Sequence, residues 1–428
     1  MRPPLGRLAL AGVLAAAACR ASAPVDNFAI ALDLGTSVPF DLAGLDLTGV
    51  DLANIDLAII GDIAVTCTGG LSPCSGACVD LQGTATDCGR CGHDCAGGQC
   101  SGGVCQEVTL TTAVTVGTSF DIATDGVHVL WSSSAGDGSG PGPNTGVYAI
   151  ATSGTGQTPF PIAPPADYMS PAARPQAMRV AGTTAYWVNY TDPSSVAWAV
   201  YRGPVAGGTV NNVTSYGTTG TIATMTVSPT ASRVYVIAYS SSNTTSVRDC
   251  DPAGSGCTTI VNPVAGVAVA GGATAVADAA YLYWAEWGTG GGIRRFHLGD
   301  PASTAPVTLA GPYNTAANLV LDGGYLYWSV GSKIYRTPTT TADPQIVIDT
   351  GNNVAGVVAA GPYVVWGDSA TGVIRYASST PGGTAVNLAA GNQIHYNAGG
   401  GSGMLARDAG SVYWMNRGDN TIRKVALP

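Results

Sequence analysis

From Val108 onward the chain alternates short apolar runs with turn-forming residues, and one order recurs. A small apolar strand is followed by a Gly or Asp turn, an aromatic strand, a loop, and then Val or Ile with Tyr or Arg after it. The aromatic strands are Val129-Leu130-Trp131, Ala185-Tyr186-Trp187, Val234-Tyr235-Val236, Tyr281-Leu282-Tyr283-Trp284, Tyr325-Leu326-Tyr327-Trp328, Tyr363-Val364-Val365-Trp366 and Val412-Tyr413-Trp414. In Tyr325-Leu326-Tyr327-Trp328 the two Tyr share one face and Leu326 and Trp328 the other, the period of a strand. Each unit takes roughly 46 residues, near the ~40–45 of a four-stranded propeller blade. In a propeller both faces of a blade pack on neighbours, so aromatic residues on both faces read as core. The last unit supplies only three strands, Met404 to Asp408, Val412 to Trp414 and Thr421 to Val425. Val108-Thr109-Leu110-Thr111-Thr112 is a spare strand that can complete it and hide both sheet edges. The expected fold is all-β, a seven-bladed propeller of four-stranded antiparallel blades. The third unit lacks Trp, which leaves six blades with a long insertion as the alternative.

These Tyr-Trp strands resemble the YWTD, or low-density-lipoprotein-receptor class B, repeats and their bacterial seven-bladed relatives, over residues 108–428. After the Tyr-Trp pair the motif departs from that family, with Trp187-Val188-Asn189, Trp284-Ala285-Glu286 and Trp414-Met415-Asn416 among the variants. The receptor repeats build six blades, one fewer than the units counted here. The resemblance implies a propeller that presents a binding face.

Composition narrows the class. Gly numbers 59 and charged residues only 11%, which excludes a coiled coil or a charged helical protein. The formal net charge of −9 argues against a nucleic-acid partner.

The N-terminus reads as an export signal over residues 1–18. Arg2 and Arg7 precede an apolar run from Leu8 to Ala18, too short to span ~30 Å of hydrocarbon. Ala16-Ala17-Ala18-Cys19 resembles the lipobox of bacterial lipoproteins, which implies lipidation of Cys19 as the first mature residue. An ordinary signal peptide with an incidental Cys is the competing reading. Arg20 stands where that family places Asp to retain proteins at the inner membrane, so the resemblance leans to the outer membrane or cell surface of a Gram-negative bacterium. Residues 19–66 follow as an acidic linker, in which Asp41-Leu42, Asp46-Leu47, Asp51-Leu52 and Asp56-Leu57 recur every five residues. That beat resembles pentapeptide repeats. Four units make about one coil, too few to bury a core, so a spacer is the simpler reading.

Ten cysteines remain. Cys67, Cys74, Cys78, Cys88, Cys91, Cys95, Cys100 and Cys105 fall in a segment, 67–106, that is too poor in apolar residues to build a core. In an exported chain they form disulfides, whose pairing the sequence leaves open among 105 possibilities. A zinc knuckle from Cys88, Cys91, Cys95 and His93 is the alternative. The segment resembles Cys-rich modules of surface lipoproteins, which implies a stalk or small interaction module. Cys250 and Cys257 flank Asp251-Pro252-Ala253-Gly254 and read as a disulfide clamping a hairpin.

Candidate chemistry is sparse. His93, His128, His297 and His395 lie in different units, and no Gly-x-Ser-x-Gly elbow is present. No catalytic residue, cofactor or metal is assigned. The loops after the aromatic strands offer a candidate ligand face of Tyr190, Asp192, Glu286, Trp287, Asp368, Asn416, Arg417 and Asp419. Trp287 reads either as a recognition anchor or as a plug of the channel mouth. The leading expectation is a monomeric, non-catalytic scaffold for an envelope or extracellular protein or a glycan, on the membrane through its lipid or secreted. A propeller enzyme such as a lyase, or a purely structural envelope protein, is the alternative.

Overall fold

The computed structural model describes residues 66–111, 118–134, 146–162, 174–192, 197–216, 220–240, 244–265, 274–286, 288, 290–390, 404–416 and 419–428. The signal, most of the linker, Cys19, Trp287, Arg417 and His395 lie outside them. Contacts divide the chain into two compact units, Met1–Val79 and Asp80–Pro428. In the first, a short hairpin pairs Ser72–Cys74 with Ala77–Val79, and Cys67 is bonded to Cys78.

The second unit carries seven four-stranded antiparallel sheets, each with its strands in sequence order except the last. The seven blades settle the count, and no helix occurs among the described residues. Blade one runs from Thr118–Thr124 to Phe160–Pro161, and blade six from Val354–Ala360 to Val386–Ala389. Blade seven takes Leu405–Arg407, Ser411–Asn416 and Thr421–Ala426 and receives Val108–Thr109 as its outermost strand. The ring is therefore closed by the N-terminal strand, as the spare apolar segment implied. Leu110 extends the closure by donating its N–H to the Ile422 carbonyl.

Seven apolar clusters fill the seven spaces between neighbouring blades. Six of them hold a nearly or fully buried tryptophan, Trp131, Trp187, Trp284, Trp328, Trp366 or Trp414, and the one between blades two and three is built around residues such as Val236 and Met225. Blade three fits the same frame without Trp. Its Val236 pairs with Arg248 as Trp284 pairs with Arg294, so the blade is complete and only its filling differs.

Cations also tie blades together. Arg295 donates to the Thr339 carbonyl (2.6 Å), Arg336 to that of Ser379 (2.9 Å), and Lys424 to that of Thr152 (2.7 Å). Each acceptor is the first residue after the third strand of the next blade. The Lys424 bond links blade seven to blade one, across the closure. Arg295 and Arg336 also lie over the rings of Tyr281 and Tyr325, where a guanidinium meets the negative face of the ring.

Residues 80–107 pack on this closing blade. Cys88–Cys100 and Cys95–Cys105 bury their sulfurs against Ala426, and Glu107 pairs with Arg423. Cys74 and Cys91 are disulfide-bonded as well. Sulfurs already oxidised offer no thiolates, so the zinc reading of Cys88, Cys91 and Cys95 gives way to disulfides. The close approach of the Cys88, Cys95 and Cys105 sulfurs is the packing of two disulfides. Cys250 and Cys257 face one another in the strand register and are bonded, closing the hairpin as expected.

Candidate functional site

The face expected to bind ligand lies after the second strand of each blade. Glu286 follows blade four's second strand, Tyr281–Ala285, and is only 5% exposed. Its Oε1 accepts the Trp284 indole N–H at 3.0 Å and its Oε2 the Arg294 Nε–H at 2.6 Å. Asp368 ends blade six's second strand, Tyr363–Asp368, and is 1% exposed. It accepts N–H groups from Asn352, Ala370 and Thr371, each at 3.1 Å, and faces Arg375 at 3.5 Å. Burial works against its charge, but these hydrogen bonds outweigh burial and hold its carboxyl below the usual range. Asp419 is exposed, yet it accepts from Thr421 (2.6 Å) and pairs with Arg423. Asn416 is buried at the end of Ser411–Asn416. The backbones of Tyr190 and Asp192 end the strand Thr184–Asp192, and their side chains lie outside the described residues. Glu286, Asp368 and Asp419 are thus each tied to an arginine of their own blade.

His128 and His297 are each held by a carboxylate of their own turn. His128 faces Asp125 (3.2 Å) and His297 faces Asp300 (3.0 Å). Each sits at its own hairpin, so the structure does not bring them together. Asp125 caps its turn by accepting the N–H groups of Val127 and His128. Asp322 does not cap its own turn. It accepts the Gly361 N–H of blade six (2.9 Å) and pairs with Arg407 of blade seven (2.6 Å).

The central axis holds chemistry that the sequence pattern did not single out. The innermost strands of blades one, two, three, five and six each carry a β-bulge. The extra residue tightens the local twist where seven strands crowd around one axis. Asp121 occupies the bulge of blade one and is fully buried. It accepts the Ile122 N–H (3.0 Å) and, across the blade boundary, the Met178 N–H (2.7 Å). Thr274 Oγ accepts Leu319 N–H (2.7 Å) in the same manner between blades four and five. Burial pushes the Asp121 carboxyl up to about 8, against the opposing pull of Arg179 and the two amides. Arg179 donates from blade two's innermost strand to the Ala275 carbonyl of blade four (3.5 Å). Arg407 reaches from blade seven to Asp322 of blade five. Each guanidinium thus reaches past the next blade to the one beyond it. The available signal was an acid and a base inside apolar strands, Asp121-Ile122 and Met178-Arg179-Val180, rather than in turns.

No protein-family model matches the chain. Among solved structures the chain is similar to an oligogalacturonate lyase in complex with manganese, at 10% identity and TM-score 0.49, over 75% of this chain and 91% of that one. It is similar to the β-propeller domain of the Trilobed protease from Pyrococcus furiosus, at 8% identity and TM-score 0.48, over 72% and 94%. A nidogen/laminin complex follows at 13% identity and TM-score 0.39, over 61% and 89%. At such identities the likeness extends to the fold alone. No helix among the described residues is long and apolar enough to cross a membrane.

Proposed function

We propose that this is an exported cell-envelope protein, anchored by lipid on Cys19, whose propeller is a non-catalytic binding scaffold for a protein or glycan. The observation that carries the scaffold reading is the use of Glu286, Asp368 and Asp419. Each is spent on an arginine and on neighbouring N–H or O–H groups. A general acid or base must instead be aimed at a reacting group with a tuned proton affinity. Oxidised cysteines throughout 67–105 and at the Cys250 hairpin support an oxidising compartment.

Two measurements test the two halves. Expression of the full chain with labelled palmitate tests the anchor: label in the wild type and none in Cys19→Ser is expected, and an unlabelled wild type sinks it. A thermal-shift panel of glycans, peptidoglycan fragments and envelope peptides tests the scaffold. A ligand at 100 times its dissociation constant stabilises by about 2.7 kcal/mol. A rise with one class that leaves the ligand chemically intact is expected. Turnover of any panel member overturns the non-catalytic reading.

A further inference from the structure

His93 sits in the Cys-rich loop between Cys88 and Cys95, and both of its ring nitrogens face backbone carbonyls. Nδ1 is 2.6 Å from the Cys88 oxygen, within the loop. Nε2 is 2.8 Å from the Leu427 oxygen, just beyond the third strand of the closing blade. Carbonyl oxygens only accept. A neutral imidazole has one N–H and one lone pair, so it donates to one of these oxygens and turns its lone pair on the other. The imidazolium donates to both. His128 and His297 present no such pair, since each meets a carboxylate through Nδ1.

We propose that His93 is a proton-operated clasp between the Cys-rich loop and the closing blade. Doubly protonated, it ties residues 80–107 to the end of Thr421–Ala426. Loss of one proton removes one bond and sets a lone pair against an oxygen. The tie is therefore complete while the ring carries both protons and weakened once it has lost one. Its position gives it consequence, because Val108–Thr109, the strand that closes the ring, begins just after this loop.

The charged groups carried by the elements packed here are Asp80, Asp87, Arg90 and Asp94 on the loop, Lys424 on the strand, the Glu107–Arg423 pair and the carboxylate of Pro428 beside Leu427. Asp87 accepts the Gly92 N–H and Asp94 the Ala96 N–H, while Lys424 is spent on Thr152. Burial lowers the proton affinity of Lys424, and the charges of Asp94 and Asp408 oppose that.

Hydrogen exchange of the mature protein at pH 5.5 and 8.0, corrected for intrinsic rates, tests the clasp. Amides of 85–106 should exchange about tenfold slower at pH 5.5, the size of one hydrogen bond to a charged group. In His93→Gln that pH step should vanish, while His297→Gln should keep it. Equal exchange at both pH values, or a step that survives in His93→Gln, overturns the proposal. If His93→Gln does not fold, ¹⁵N-histidine spectra of the wild type decide. The exchange step must follow the titration of His93, and a step that follows another histidine overturns the proposal equally.

Discussion

Blades four and five place a tryptophan at the same point and surround it differently. In blade five Trp328 pairs across the strand with Tyr335, and the rings stack at 5.6 Å with planes 11° apart. Two residues on stands Val330, and the buried indole N–H has no acceptor among the described residues. In blade four the cross-strand partner of Trp284 is Arg294, and two residues on stands Glu286, which takes both the indole N–H and the guanidinium. Blade one follows blade five, with Trp131 stacked on Tyr148. Blade six follows blade four with a shorter acid: Asp368 turns to its own loop, and the Trp366 indole has no acceptor among the described residues. One backbone position therefore accepts either an aromatic stack or a buried ion pair. The ion pair adds hydrogen bonds at the cost of removing two charges from water. The stack contributes apolar contact and leaves one donor unpaired.

Truncating either tryptophan should give the largest effect, about 3–5 kcal/mol lost in urea unfolding of Trp328→Ala. Trp284→Ala should cost more, because it also strips Glu286 of a donor. Equal losses would mean that the indole bond contributes nothing. Next in size is the ion pair. Glu286→Val leaves the half-buried Arg294 without its carboxylate and should cost about 2 kcal/mol. Adding Arg294→Tyr, which turns blade four into a copy of blade five, should recover most of that loss. A double variant no better than the single would break the equivalence of the two arrangements. The last effect is a slope with pH, not a single loss. Asp121 is a buried acid whose arginine stands farther off, 3.6 Å against 2.6 Å for Glu286. Its folded-state proton is held to about 8, against about 3.9 in an unfolded chain. Between these values the native state binds more protons, so stability falls as pH rises from about 4 to 8. Asp121→Asn should flatten that part of the stability profile, and an unchanged slope would show the carboxylate to be ionised in the fold.

Most of the architecture was legible because a propeller repeats its instruction. Periodic Tyr-Trp strands, a three-stranded last unit and a spare strand at Val108 pointed to the ring and its closure, with six blades left as the alternative to seven. Blade three, weakest in sequence, was legible through Val247-Arg248, since its third strand keeps the common form. The ligand face was legible as loops and misleading as chemistry. Glu286 and Asp368 look free beside Gly-rich turns. Only the fold reveals Arg294 and Arg375 from the neighbouring strand waiting for them.

The residues themselves determined the fold class and the closing strand, because each follows from local pattern, while the structure settled seven blades over six and disulfides over a zinc knuckle. Tertiary structure alone decided which charges are spent and which face one another. Asp121 meets Met178, Asp322 meets Arg407, and His93 meets Leu427 across 334 positions of chain. Such pairings depend on how seven blades turn around one axis. A strand's period says which face a side chain takes, and the closed ring says what stands opposite.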